Sequence, residues 1–158
     1  MNINKIICNY INKISDHGYI LMMVVFSFII DNVILIYMNI SNIKFNGPKL
    51  DMSPILILIL VGIVSPIFET YLYQVILIYL LKKINYLNNH KILLIIVASI
   101  IFGLSHCYSY IYIFSTFLAG LILNYSYVIY KNKTLTPFKI VLSIHSIHNI
   151  INALLMIF

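Results

Sequence analysis

Neither arginine nor tryptophan occurs in the 158 residues, and there are four acids: Asp16, Asp31, Asp51 and Glu69. Charged residues make up 9% against 62% apolar, whereas a soluble domain carries about a quarter charged, so that class is excluded. The ten basic residues are all lysines standing outside the apolar runs or at their edges. The +6 charge therefore reads as topology and headgroup contact, and nucleic acid is excluded as a partner. Cysteine is confined to Cys8 and Cys107, which form neither a disulfide framework nor a C-x-x-C pair and leave the redox compartment open. The segment before Tyr19 lacks a continuous apolar stretch beside a small-residue cleavage site, so no cleaved signal peptide is expected. Gly-rich phosphate loops are absent as well.

What is present is long apolar runs, at 19–40, 53–81, 91–114, 115–130 and 138–158. A spanning helix needs about 20 apolar residues. The expected fold is accordingly all-α, a multi-pass transmembrane helical bundle of about five spans. It would form a single membrane domain over 1–158, with a motif-bearing core at 53–158. At about 1.5 Å per residue the second run exceeds a bilayer core, so it must tilt, protrude or break near Pro66. With a cytoplasmic N-terminus, Lys5, Lys13, Lys82, Lys83, Lys91, Lys131, Lys133 and Lys139 fall inside, and Lys44 and Lys49 outside. That distribution follows the positive-inside rule and turns the C-terminus outward. An integral protein of the cell membrane, in contact with its lipid, is the expectation.

Against this apolar background the polar positions carry the information. Glu69, the sole glutamate, lies inside the second run, where an acid costs about 2.5–3.5 kcal/mol on insertion scales and turns inward to a partner. His106 in the third run and His145 and His148 in the fifth are the available partners. His145, His148, Asn149 and Asn152 recur at i, i+3, i+4 and i+7, which stacks them on one helix face that should look into the bundle. A carboxylate and imidazoles around a wet cavity suit a general base that deprotonates water, with His or Asn donors stabilising the oxyanion formed at a peptide carbonyl. Asp31 has no motif around it and reads as a helix-packing or near-interface residue. Cys107 reads as a small packing residue. Tyr108, Tyr110 and Tyr112 read as an interfacial aromatic belt.

The order Glu69, then Phe102-x-x-x-His106, then His145-x-x-x-Asn149 resembles the CAAX protease and bacteriocin-processing (CPBP or Abi) family of intramembrane proteases. That family's pattern is E-E-x-x-x-R, F-x-x-x-H and H-x-x-x-N/D on successive helices. "SPIFET" is similar to its entry motif, and "TFLAGLILNYSY" to its Gly-containing helix between the histidine motifs. The resemblance covers 53 to the C-terminus. It implies a glutamate-dependent endopeptidase, with no cofactor, acting on a membrane-associated peptide or protein. Glu69 would activate water, His106 would help hold it, and His145 and Asn149 would form the oxyanion site. Thr70 and Gln74 stand where the family has its second glutamate and its arginine. The alternative implied by those departures is a non-catalytic relative acting in bacteriocin immunity or as a membrane binding partner. His148 and Asn152 satisfy H-x-x-x-N too, so the register stays open.

Other chemistries fit parts of the pattern. Zinc on Glu69, His106 and His145 with an open water position is the metal alternative, although no H-E-x-x-H occurs. Ser105 in "GLSH" superficially matches a rhomboid-type nucleophile paired with a last-helix histidine. A third reading, after the peptidase and the non-catalytic relative, is a small transporter component using Glu69 and the histidines as a proton relay.

Overall fold

The computed structural model describes residues 14–44, 46–48, 51–131 and 133–157. Lys5, Lys13, Lys49, Cys8 and most of the segment searched for a signal peptide lie outside the described residues. All regular structure within them is helical: α1 Asp16–Ile40, α2 Pro54–Lys82, a short α3 Asn85–Asn89, α4 Lys91–Leu104, α5 Tyr110–Val128 and α6 Pro137–Ile157. Helices α1, α2, α5 and α6 are long and apolar enough to cross a membrane, and α4 is a shorter apolar helix. The all-α multi-pass bundle is thus the observed fold.

Two boundaries differ from the expected runs. The third run does not continue to Phe114: α4 stops at Leu104, and α5 begins at Tyr110 rather than at Ser115. At 14 residues, α4 rises about 21 Å, less than the roughly 30 Å of a hydrocarbon core. His106 consequently sits in the turn after α4, not inside a helix. Ser109 both caps α5 through the Tyr112 amide and donates to the Asn46 carbonyl at 2.9 Å. Irregular backbone at membrane depth is tolerated where it is enclosed by protein or lines a cavity. Cys107, in the same turn, is exposed rather than packed.

Helix α2 runs through Pro66 without breaking because its hydrogen-bond register widens. Residues Leu60–Val64 and Thr70–Leu77 are π-helical, and the Ser65 amide reaches the Leu60 carbonyl five residues back. In that register the next donor to Val61 would be the amide of residue 66, which is proline and has none. The Asn149 side chain of α6 supplies the missing donor, with Nδ2 at 3.1 Å from the Val61 carbonyl oxygen. Gly62 is buried at the same crossing, and a Cβ there would overlap Ile150. The sequence local to Pro66 therefore fixes where α2 and α6 touch.

Helices α4 and α5 form a close antiparallel hairpin. A Cβ on Gly103 would lie 2.9 Å from the Phe117 Cβ and from the Ile113 carbonyl oxygen, and one on Gly120 would lie 3.0 Å from the Phe102 ring. Small residues at such crossings let helix backbones approach within a membrane. Across this hairpin Gln74 donates to Asn124 at 3.3 Å, Asn124 to Ser99 at 2.9 Å, and Ser99 to the Ile95 carbonyl at 2.7 Å. The three polar side chains are fully buried.

At the opposite end, Asp16 ties α1 to the segment before α6. Its carboxylate accepts from the amides of Lys133, Thr134 and Leu135, from the Thr134 hydroxyl and from the Tyr130 hydroxyl. Tyr130 stacks on Tyr19 at 3.6 Å. Burial, and then the carboxylate it serves, push the Tyr130 phenol up to about 12, so it remains a donor at any physiological pH. Tyr19, Phe102, Ile140, Val141 and Ile144 fill the core between these ties.

Candidate active site

Helices α1, α2, α5 and α6, Phe102 at the end of α4 and the turn after α4 converge on one cavity of about 640 Å³. Glu69, three residues after Pro66 on α2, points into it. Its Oε2 stands 3.6 Å from His106 Nε2 and 3.6 Å from His145 Nε2. Both histidines pack against Phe102, with ring centroids 4.8 and 6.2 Å apart. The Phe102 ring is thus the shared wall that sets the two imidazoles around one carboxylate oxygen.

Hydrogen bonding fixes the tautomer of His106. The Phe102 carbonyl, which can only accept, lies 2.8 Å from His106 Nδ1, so that nitrogen carries a proton. Ser105 Oγ is 3.1 Å from the same nitrogen but gives its own proton to the Phe102 carbonyl at 2.7 Å. With Nδ1 protonated, the neutral form of His106 turns a lone pair at Nε2 toward Glu69, and the imidazolium form turns an N–H toward it. In the neutral form two acceptors face one another, and in either form the 3.6 Å separation is longer than a direct hydrogen bond. His145 is different: it is buried, and its Nδ1 has no hydrogen-bond partner among the described residues. A proton on Nε2 would be its one donor toward the cavity.

Asn149 lines the cavity while one of its amide protons serves the Val61 carbonyl. His148 turns the other way along α6. Its Nε2 is 2.6 Å from Asp31 Oδ2, Phe28 meets its ring edge-on at 5.1 Å, and Asn152 Nδ2 lies 2.8 Å from the same nitrogen and 3.4 Å from Asp31 Oδ2. The two overlapping H-x-x-x-N registers therefore have different partners: His145 faces Glu69, and His148 faces Asp31.

Sequence reasoning missed Asp31 as a cavity residue. The available signal was charge: an acid on α1 needs an inward partner just as Glu69 does. It also set Tyr112 in an outward belt. Tyr110 is 94% exposed as a belt residue would be, whereas Tyr108 and Tyr112 line the cavity, with the Tyr112 ring 6.1 Å from that of His106. Ser105, held on the Phe102 carbonyl, pairs with no last-helix histidine. Among the described residues no group of three or more His, Cys, Asp or Glu forms a metal-holding set.

Residues 51–151 match the family model for the type II CAAX prenyl endopeptidase Rce1-like proteins, about two-thirds of the chain. The chain belongs to this family. No curated protein and no solved structure matches it. As an Rce1-like membrane protein it departs from the E-E-x-x-x-R pattern at Thr70 and Gln74, and both are fully buried. Thr70 Oγ1 and Gln74 Oε1 have no hydrogen-bond partner among the described residues, and Gln74 uses its amide on Asn124 rather than on Glu69. Matched segment and cavity do not coincide, because α1, which brings Phe28 and Asp31 to the cavity wall, precedes the matched residues.

Proposed function

We propose that this Rce1-like chain is an intramembrane glutamate-dependent endopeptidase, hydrolysing a peptide bond in a membrane-associated peptide or protein. The observation that carries this reading is the approach of His106 Nε2 to the Glu69 carboxylate at 3.6 Å, with His106 Nδ1 engaged by the Phe102 carbonyl. With His106 neutral, a water molecule donating one proton to Glu69 and one to His106 Nε2 satisfies both and is held with its oxygen toward the cavity. Glu69 takes one of those protons as the water oxygen bonds to the substrate carbonyl carbon. The negative charge passes to the carbonyl oxygen, where His145 Nε2–H and the second amide proton of Asn149 receive it. Collapse of the tetrahedral species breaks the C–N bond, and Glu69 returns its proton to the departing amine.

No metal or cofactor enters this scheme. The cell membrane is the proposed location, with the lysine-rich loops and the N-terminus on the cytoplasmic side. A cleavage assay with Glu69→Gln and His106→Ala tests the reading: turnover falls by about 10²–10⁴-fold in each, the usual range for a positioned acid–base group. Retained turnover in both variants removes the mechanism.

A second reading is favoured by the burial of Thr70 and Gln74 and the engagement of Gln74 by Asn124. In it the chain is a non-catalytic relative, serving bacteriocin immunity or binding a membrane partner through the same cavity. Without the arginine at Gln74, a fixed cation near Glu69 is lacking. Activity that appears only when Thr70→Glu and Gln74→Arg are combined supports this alternative.

A further inference from the structure

Outside the Glu69 site, one polar cluster faces the same cavity: Asp31 with His148 and Asn152, buttressed by Phe28. Both partners approach a single carboxylate oxygen, Oδ2. Oδ1 takes no hydrogen bond among the described residues, and the Asp31 side chain is 31% exposed where it lines the cavity. A carboxylate fixed through one oxygen, with the other presented to a cavity, is an acceptor for N–H donors.

The charge of the cavity favours a cationic donor. Its walls carry two carboxylates, Glu69 and Asp31, and no lysine; histidine is the only basic type among the lining residues. In a site of low dielectric, two acids without a fixed cation attract a positive group and disfavour an anionic one. Position sets where on a peptide that group must lie. His148 and Asn152 are three and seven residues beyond His145 on α6, about 4.5 and 10.5 Å of helical rise. Asp31, which meets both, stands between those levels, or about two to three residues of extended chain at about 3.3–3.6 Å each.

We propose that Asp31, held in place by His148 and Asn152, is a cation-accepting subsite. It selects peptides that present an ammonium group, from a lysine side chain or a free amino terminus, two to three residues from the bond offered to Glu69. This specificity deepens the peptidase reading above and rests on it, whereas the subsite itself can be measured without turnover.

The test has two arms on the purified full-length chain. In the first, thermal stabilisation by butylammonium is compared with that by butanol, in the native chain and in Asp31→Asn. The native chain is stabilised more by the cation, and the difference disappears in Asp31→Asn and persists in Asp31→Glu. Equal stabilisation by both probes, or a difference that survives Asp31→Asn, overturns the subsite. In the second arm, matched peptides bearing lysine, norleucine or glutamate near the cleaved bond, each with a free or acetylated amino terminus, compete for turnover. Ammonium-bearing peptides win by about tenfold or more. Loss of the advantage on acetylation assigns the amino terminus as the source, and its retention in the lysine peptides assigns the side chain. Cleavage without such preference sinks the subsite and leaves the peptidase reading standing. Cation binding without any cleavage does the reverse.

Discussion

At the residue scale, the candidate chemistry depends on proton placement. Phe102 contributes twice: its carbonyl places the His106 proton on Nδ1, and its ring seats both histidines beside Glu69. In the proposed mechanism water is the two-proton donor between the carboxylate and the neutral imidazole, and no metal takes part. Turnover should therefore be unchanged by 1,10-phenanthroline at concentrations that strip zinc, and added zinc should not raise it. A chelator-sensitive, zinc-restored activity would favour zinc on Glu69, His106 and His145. The sequence made Glu69, His106 and His145 legible because isolated polar groups in apolar runs are costly and need partners. It did not make Asp31 legible, because the partner, His148, lies 117 residues away and no local pattern announces it.

At the element scale, α2 and α6 are joined by a defect and its repair. Pro66 removes the donor that the widened register would give Val61, and Asn149 replaces it. Leaving a buried carbonyl unpaired costs about 1–3 kcal/mol, so Asn149→Ala should lower the melting temperature by several degrees. Pro66→Ala restores a backbone donor in the same place. In that background the Asn149→Ala loss should shrink to less than half, as measured by thermal unfolding in detergent. Equal losses in both backgrounds would mean that Asn149 and Pro66 are not coupled. The apolar runs located α1, α2 and α6 closely because length and hydropathy alone define a span. They misplaced the boundary between α4 and α5, since the turn at 105–109 contains neither glycine nor proline and its apolar and aromatic neighbours continue the pattern. That missed turn is what moves His106 out of a helix and into position.

At the scale of the whole molecule, the cavity extends from Glu69 toward Met38, Pro48, Ile57 and Met156. This is the end of the bundle opposite Lys82, Lys83 and Lys131. If the lysine-rich loops are cytoplasmic, the mouth faces outward. A membrane-impermeant maleimide should then label Lys44→Cys, and not Lys83→Cys, in intact cells carrying an otherwise cysteine-free chain. The opposite pattern would invert the topology and move the mouth to the cytoplasm. The membrane class was legible from composition. The depth and direction of the cavity were not, because they depend on how α1 packs across α6, with Asp31 meeting His148.

The most direct measurement follows the origin of the oxygen in the product. When the purified chain cleaves a membrane-associated peptide in ¹⁸O-water, one heavy oxygen should enter the new carboxyl group in a single turnover, and Glu69→Gln should abolish the reaction. Cleavage that persists at the native rate in Glu69→Gln, or the absence of any cleavage by the native chain, would contradict the assignment of Glu69 as the group that activates water.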